Sequence, residues 1–212
     1  MKITAHIISI ICHPLLMLTY GLLFMMWANP YQFGSVSGND MTLYMVGSIA
    51  GISFFFPTFS LLLMRGLGMI ESLQVQDREE RIIPYVSTGV FYLWLSINIY
   101  KTNIFPYVFE VFAVGATIAL FMAFFINNFT KISMHTVGIG GFLAMVILTM
   151  VNTSVPLYDL RPILLGVIIL AGLVGTARLV LKAHVPKQIY GGYAVGFLGQ
   201  FAAVIALNVL AP

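Results

Sequence analysis

The residues of this chain best suited to chemistry fall in three short polar segments. The first holds Gln76, Asp77, Arg78, Glu79, Glu80 and Arg81 and ends at Pro84. The second runs from Lys131 through Ser133 and His135 to Thr136. The third holds Arg178, Lys182, His184, Pro186, Lys187 and Gln188. Imidazoles such as His135 and His184 serve as nucleophiles or as general acids and bases. Guanidinium groups such as Arg78, Arg81 and Arg178 bind phosphate oxygens in bidentate fashion and neutralise charge on a transferring phosphoryl group. Each segment also precedes an apolar run that reads as a helix, and helix N-termini attract anions. Ser133 is a suitable N-cap, which places His135 in a first turn. Pro186 suits a first helical position, with His184 just outside and Gln188 just inside. This constellation suits a phosphate group, held by Arg178, Arg81, Arg78, Ser133 and Lys131. No Cys/His spacing suggests a metal site, and no cofactor motif stands out. Asp77, Glu79 and Glu80 read as a solvated loop of weak ion pairs. His6, His13 and the single Cys12 receive no role.

The elements that must position these residues are transmembrane helices. Of 212 residues, 60% are hydrophobic and 8% charged, whereas soluble domains carry about 25% charged residues. The net charge of +3 is small and dispersed, which argues against a nucleic-acid partner, and the few charges leave too little polar surface for water and favour the lipid bilayer. Apolar runs able to cross about 30 Å of hydrocarbon fall at about 5–28, 42–66, 84–100, 105–128, 136–152, 161–180 and 189–210. The first is too long for a cleavable signal and reads as a retained helix. With the N-terminus in the cytoplasm, eight of the ten basic residues lie on the cytoplasmic side, leaving Lys101 and Arg161 opposite. That asymmetry follows the positive-inside rule. The expected fold is therefore an all-α polytopic membrane bundle of about seven helices forming one domain, 1–212, with all three polar segments at the cytoplasmic face. Asn98, Asn152, Gln200 and Asn208 are expected to make helix–helix hydrogen bonds, and Gly138, Gly141, Ala171 and Gly175 to mark close packing.

The third segment resembles the last motif of the type-2 phosphatidic acid phosphatase superfamily, S-R-x5-H-x3-D followed by glycine. Here Arg178, His184, Gln188 and Gly191-Gly192 stand at the corresponding spacing. Ser133-Met134-His135 is similar to the middle motif, P-S-G-H, and Arg81 with Pro84 loosely resembles the first, K-x6-R-P. The resemblance covers about residues 74–200. It implies that His184 attacks phosphorus to form a phosphohistidine, that His135 protonates the leaving group, and that Arg178, Arg81 and Ser133 hold the phosphate. The chain departs from the pattern: Gln188 stands where the family has an Asp, Gln74 where it has a Lys, Ala177 for Ser, Ile132 for Pro and Met134 for Gly. A Gln can orient an imidazole but cannot offset its positive charge. The analogous loss in a Ser-His-Asp triad costs about 10⁴ in rate.

The resulting expectation is a metal-independent hydrolase of a membrane lipid phosphate, in the inner membrane of a bacterial cell. The alternative is a phosphatase-like protein that binds phospholipid headgroups without hydrolysis. A transporter is disfavoured because the polar residues gather at one face instead of lining a midplane path.

Overall fold

The computed structural model describes residues 1–36, 38–73, 75, 77–152 and 157–210. Gln74 and Gln76 lie outside the described residues. All regular elements among those described are helical: α1 (Lys2–Ile11), α2 (Met17–Ala28), α3 (Asn39–Ala50), α4 (Phe56–Gly66), α5 (Ile82–Thr102), α6 (Tyr107–Asn127), α7 (Met134–Asn152), α8 (Arg161–Val180) and α9 (Pro186–Leu210). They give seven stretches long and apolar enough to cross a membrane, each where the sequence places one. This is a membrane protein.

Two of the seven spans are irregular. The first was expected as one helix, but it breaks between α1 and α2 because Pro14 lacks an N–H and pushes His13 to an extended conformation (φ −65°, ψ 134°). A single 3₁₀ turn, Pro14–Leu16, follows the break. The backbone groups freed there find other partners: Tyr20 donates its hydroxyl to the Ile11 carbonyl (2.9 Å), and Leu15 N–H donates to His13 Nδ1 (3.4 Å). In the second span a π-helical turn, Gly51–Phe55, joins α3 to α4 and brings the Phe54 ring against His13, with centroids 6.5 Å apart.

The centre of the bundle is α9 packed on α7 and α6, with α5 against α6 and α8 against α7 and α1. The α7–α9 seam depends on backbone approach. A Cβ at Gly196 would collide with the Val137 carbonyl, and one at Gly192 would collide with Thr136. Glycine at these two positions lets the helices touch main chain to main chain, as small residues do inside membranes. The two helix starts are also tied together, since Ser133 N–H donates to the Gln188 carbonyl (3.3 Å). That seam fixes the second and third polar segments side by side.

Candidate functional site

The bundle encloses a cavity of about 210 Å³ that opens among the starts of α5, α7 and α9 and the end of α8. His135, His184, Arg81 and Arg178 line it together, along with His13. Segments separated by about a hundred residues in sequence therefore meet at one place.

His184 is delivered by the way α8 ends. Ala183 N–H donates to the Arg178 carbonyl and Lys182 N–H to the Leu179 carbonyl, with Lys182 in the left-handed region (φ 52°). This is a Schellman closure, which satisfies the last carbonyls and reverses the chain within a few residues. Pro186 then opens α9, so His184 sits buried in a tight corner between two helices. Its Nδ1 lies 2.9 Å from Gln188 Oε1. Val185 N–H also donates to that oxygen (3.4 Å), so the oxygen side of the amide faces the ring. An amide oxygen only accepts, so Nδ1 carries the proton and Nε2 keeps its lone pair. Burial pushes the His184 imidazole down to about 4. The Gln188 hydrogen bond works against that shift, while the charges of Arg81, Arg178 and Lys131 add to it. At neutral pH the ring is therefore neutral, with Nε2 as its nucleophilic atom.

His135 lies in the first turn of α7, and its Nε2 is 3.0 Å from the Ser9 carbonyl oxygen. In an unbroken first helix that carbonyl would bond the backbone N–H of residue 13. The break at Pro14 releases it, and His135 takes the vacated bond as donor. His135 Nδ1 is left as the ring nitrogen that can exchange a proton. Arg178 donates from Nη1 to Ser9 Oγ (3.2 Å), and its Nε has no hydrogen-bond partner. Ser9 thus ties α1 to both α7 and α8 through two residues that line the cavity.

Arg81 lies in the 3₁₀ turn Glu79–Arg81 before α5, donating from Nε to the Val75 carbonyl (2.8 Å) and from Nη1 to that of Ile132 (3.3 Å). Both anchors are neutral carbonyls. Among the described residues no carboxylate pairs with Arg81 or Arg178, and no acidic residue lines the cavity.

The remaining sequence candidates fall elsewhere. Arg78 is exposed and donates to the Asn128 and Phe129 carbonyls (3.0 and 3.3 Å), closing the end of α6 instead of facing the cavity. Ser133 is fully buried outside the cavity lining. Its carbonyl accepts from Val137 N–H as an N-cap's should, yet its Oγ has no hydrogen-bond partner. Lys131 is half-buried beside the lining and acts on His184 through its charge. Of the acidic residues in the first segment, Glu80 accepts from Glu71 N–H (2.9 Å), within its own loop. No three His, Cys, Asp or Glu residues among those described are grouped to hold a metal ion.

Three contributors escaped the sequence reading. His13 lines the cavity edge-on to His135, with ring centroids 5.5 Å apart. Ser9 supplies two anchoring groups. Gln200 lines the inner end of the cavity. A proline inside an apolar span was the available signal for the first two, because it predicts freed carbonyls and a side-chain cap. For Gln200 the signal was a carboxamide in a span, expected to bond another helix and found without a hydrogen-bond partner.

Against known proteins, the chain matches no family model, no curated sequence and no solved structure.

Proposed function

We propose that this protein is a membrane-embedded lipid phosphate phosphatase of the type-2 phosphatidic acid phosphatase kind. The observation that carries this reading is two guanidinium groups, Arg81 and Arg178, that among the described residues have no carboxylate partner and face one cavity with a neutral imidazole whose Nε2 has no partner there. Cationic groups partly sheltered from water and lacking counter-ions favour an anionic ligand. The basic residues gathered at this end of the bundle support a site facing the cytoplasmic leaflet of the cell membrane.

In this mechanism Arg81 and Arg178 hold the non-bridging phosphate oxygens. His184 Nε2 attacks phosphorus, and the P–O bond to the lipid breaks. The departing alkoxide takes a proton from His135 Nδ1, supplied in the first turnover by the entering monoanionic phosphate and in later ones by the attacking water, with the imidazolium held through its Nε2–H by the Ser9 carbonyl. His135 Nδ1 then accepts a proton from water as the oxygen of that water attacks phosphorus. The P–N bond breaks, inorganic phosphate leaves and His184 is restored. Gln188 keeps the His184 proton on Nδ1 throughout. It supplies no negative charge to the imidazole, so the reaction is expected to be slow.

That same amide favours a second reading, in which the cavity binds a lipid phosphate and does not hydrolyse it. Purified protein in detergent, without added metal, is expected to release inorganic phosphate from dioctanoyl phosphatidate. His184→Ala should abolish release, and radiolabelled substrate should leave an acid-labile, base-stable phosphohistidine on the wild type. Absence of turnover, together with phosphatidate binding that depends on Arg178, would establish the second reading. Binding indifferent to both residues would defeat the two readings alike.

A further inference from the structure

The cavity continues past its charged mouth into the bundle. Its wall there is mostly apolar, including Leu18, Phe112, Ala116 and Leu120, and it ends at Gln200 on α9. Gln200 is completely buried, and among the described residues neither its Oε1 nor its Nε2 has a hydrogen-bond partner. A carboxamide left unpaired in hydrocarbon is strongly unfavourable, and leucine or methionine would fill the same space without that cost.

The surroundings are shaped to this side chain. A Cβ at Gly115 on α6 would run into the Gln200 amide, and one at Gly141 on α7 would lie 3.2 Å from its Nε2. Two neighbouring helices thus carry glycine where the amide needs room. Gly141 lies six residues beyond His135 on α7, about 9 Å of helix rise. The amide therefore stands roughly 9 Å further into the membrane than the imidazole.

We propose that Gln200 is a second recognition point, a specificity-determining residue that hydrogen-bonds an oxygen of the lipid whose phosphate occupies the mouth. This inference rests on the phosphate reading above and narrows its substrate class. An extended chain covers about 1.2 Å per bond. The six or seven bonds from phosphorus through glycerol to an ester carbonyl therefore span about 7–8 Å, close to the required depth. A carbonyl oxygen there accepts from Nε2, and a hydroxyl donates to Oε1. Phosphorylated glycerolipids carry such an oxygen at that distance, whereas isoprenoid phosphates present only hydrocarbon and would leave the amide unpaired.

The test compares wild type with Gln200→Met and Gln200→Leu, measuring affinity for dioctanoyl phosphatidate, farnesyl phosphate and inorganic phosphate. Wild type should prefer the ester lipid over the isoprenoid by roughly tenfold, the worth of one buried hydrogen bond. Both variants should lose that preference, keep their affinity for inorganic phosphate and show an unchanged or raised Tm. Retained preference, or an equal loss for all three probes, would overturn the proposal. So would a lowered Tm in the methionine variant, because it would show a structural partner for the amide. Arg178→Ala separates the two levels. If it abolishes binding of both lipids while Gln200→Met leaves the preference intact, the phosphate reading survives and only this inference fails. Were wild type to bind neither lipid, both would fall together.

Discussion

The two ends of the bundle treat charge in opposite ways. At one end, Arg161 begins α8 in the open and donates from Nε to Asp159 at 2.9 Å, with 81% of the arginine side chain and 52% of the aspartate exposed. At the other, Arg178 ends the same helix half-buried, bonded to a serine hydroxyl and with its Nε unpartnered. One helix therefore carries an arginine served by water and a carboxylate, and another partly sheltered from water with no carboxylate partner among the described residues. An exposed pair is nearly indifferent to the rest of the protein. A sheltered, unpaired guanidinium is an unmet demand for an anion. Position along the chain does not separate the two residues. Their surroundings do.

The most direct way to break this contrast is to give the buried end its own carboxylate. His13→Asp suits the purpose, because aspartate can still accept from Leu15 N–H and so keep the cap at the Pro14 break. It should place negative charge in the cavity and lower lipid phosphate affinity by about 10²-fold, close to the effect of Arg178→Ala, since charge-assisted hydrogen bonds contribute about 1.5–3 kcal/mol. Isothermal titration in detergent measures both variants. Unchanged affinity in His13→Asp, with Tm preserved, would mean that the missing counter-ion is not what makes the site attractive.

A smaller effect is expected where charge meets the nucleophile. His184 titrates near 4 chiefly because burial disfavours its charged form. Its neutral, attacking form is thus retained as pH falls through the usual histidine range, and the acid limb of activity should lie near pH 4. The same shift makes the folded state refuse a proton that the unfolded chain accepts below about 6.5. Its contribution to stability is therefore full above that pH and is lost as pH falls toward 4. Gln188→Asp would stabilise the imidazolium, move the acid limb upward and, under the hydrolase reading, preserve or raise the rate at neutral pH. A pH–rate profile of phosphate release decides. An unmoved limb would mean that Gln188 does not govern the ring.

These contrasts also mark what the sequence could and could not convey. Hydropathy alone placed all seven spans, because a bilayer demands long apolar runs and nothing else in the chain resembles them. Residue spacing located His184 and Gln188, whose contact is local and needs only the turn that ends α8. Long-range partners were hidden. Arg78 and Arg81 lie three apart and read alike, yet one closes α6 and the other lines the cavity. Nothing local distinguishes them, since the choice depends on where the 128–132 turn passes. Asn98 and Asn152 were expected to bond other helices and instead bond carbonyls four residues back in their own. Asn208 does reach across, accepting from the Tyr107 hydroxyl at 3.1 Å. Ser9 contributes a carbonyl freed by a proline five residues later, a consequence of backbone accounting that periodicity does not register.

The least consequence is expected from the exposed pair. Asp159 is held below the usual carboxylate range mainly by its hydrogen bond to Arg161, but both groups are exposed to solvent. Water solvates each nearly as well alone as together, and salt screens what attraction remains. Asp159→Asn should therefore leave Tm, lipid phosphate affinity and phosphate release unchanged at physiological ionic strength. The Arg161 N–H bond to the Asp159 side chain (3.0 Å) can be kept by the asparagine oxygen. Thermal melts at low and high salt, alongside His13→Asp, test this directly. A loss at the open end comparable to that at the buried end would mean that shelter from water is not what sets the two arginines apart.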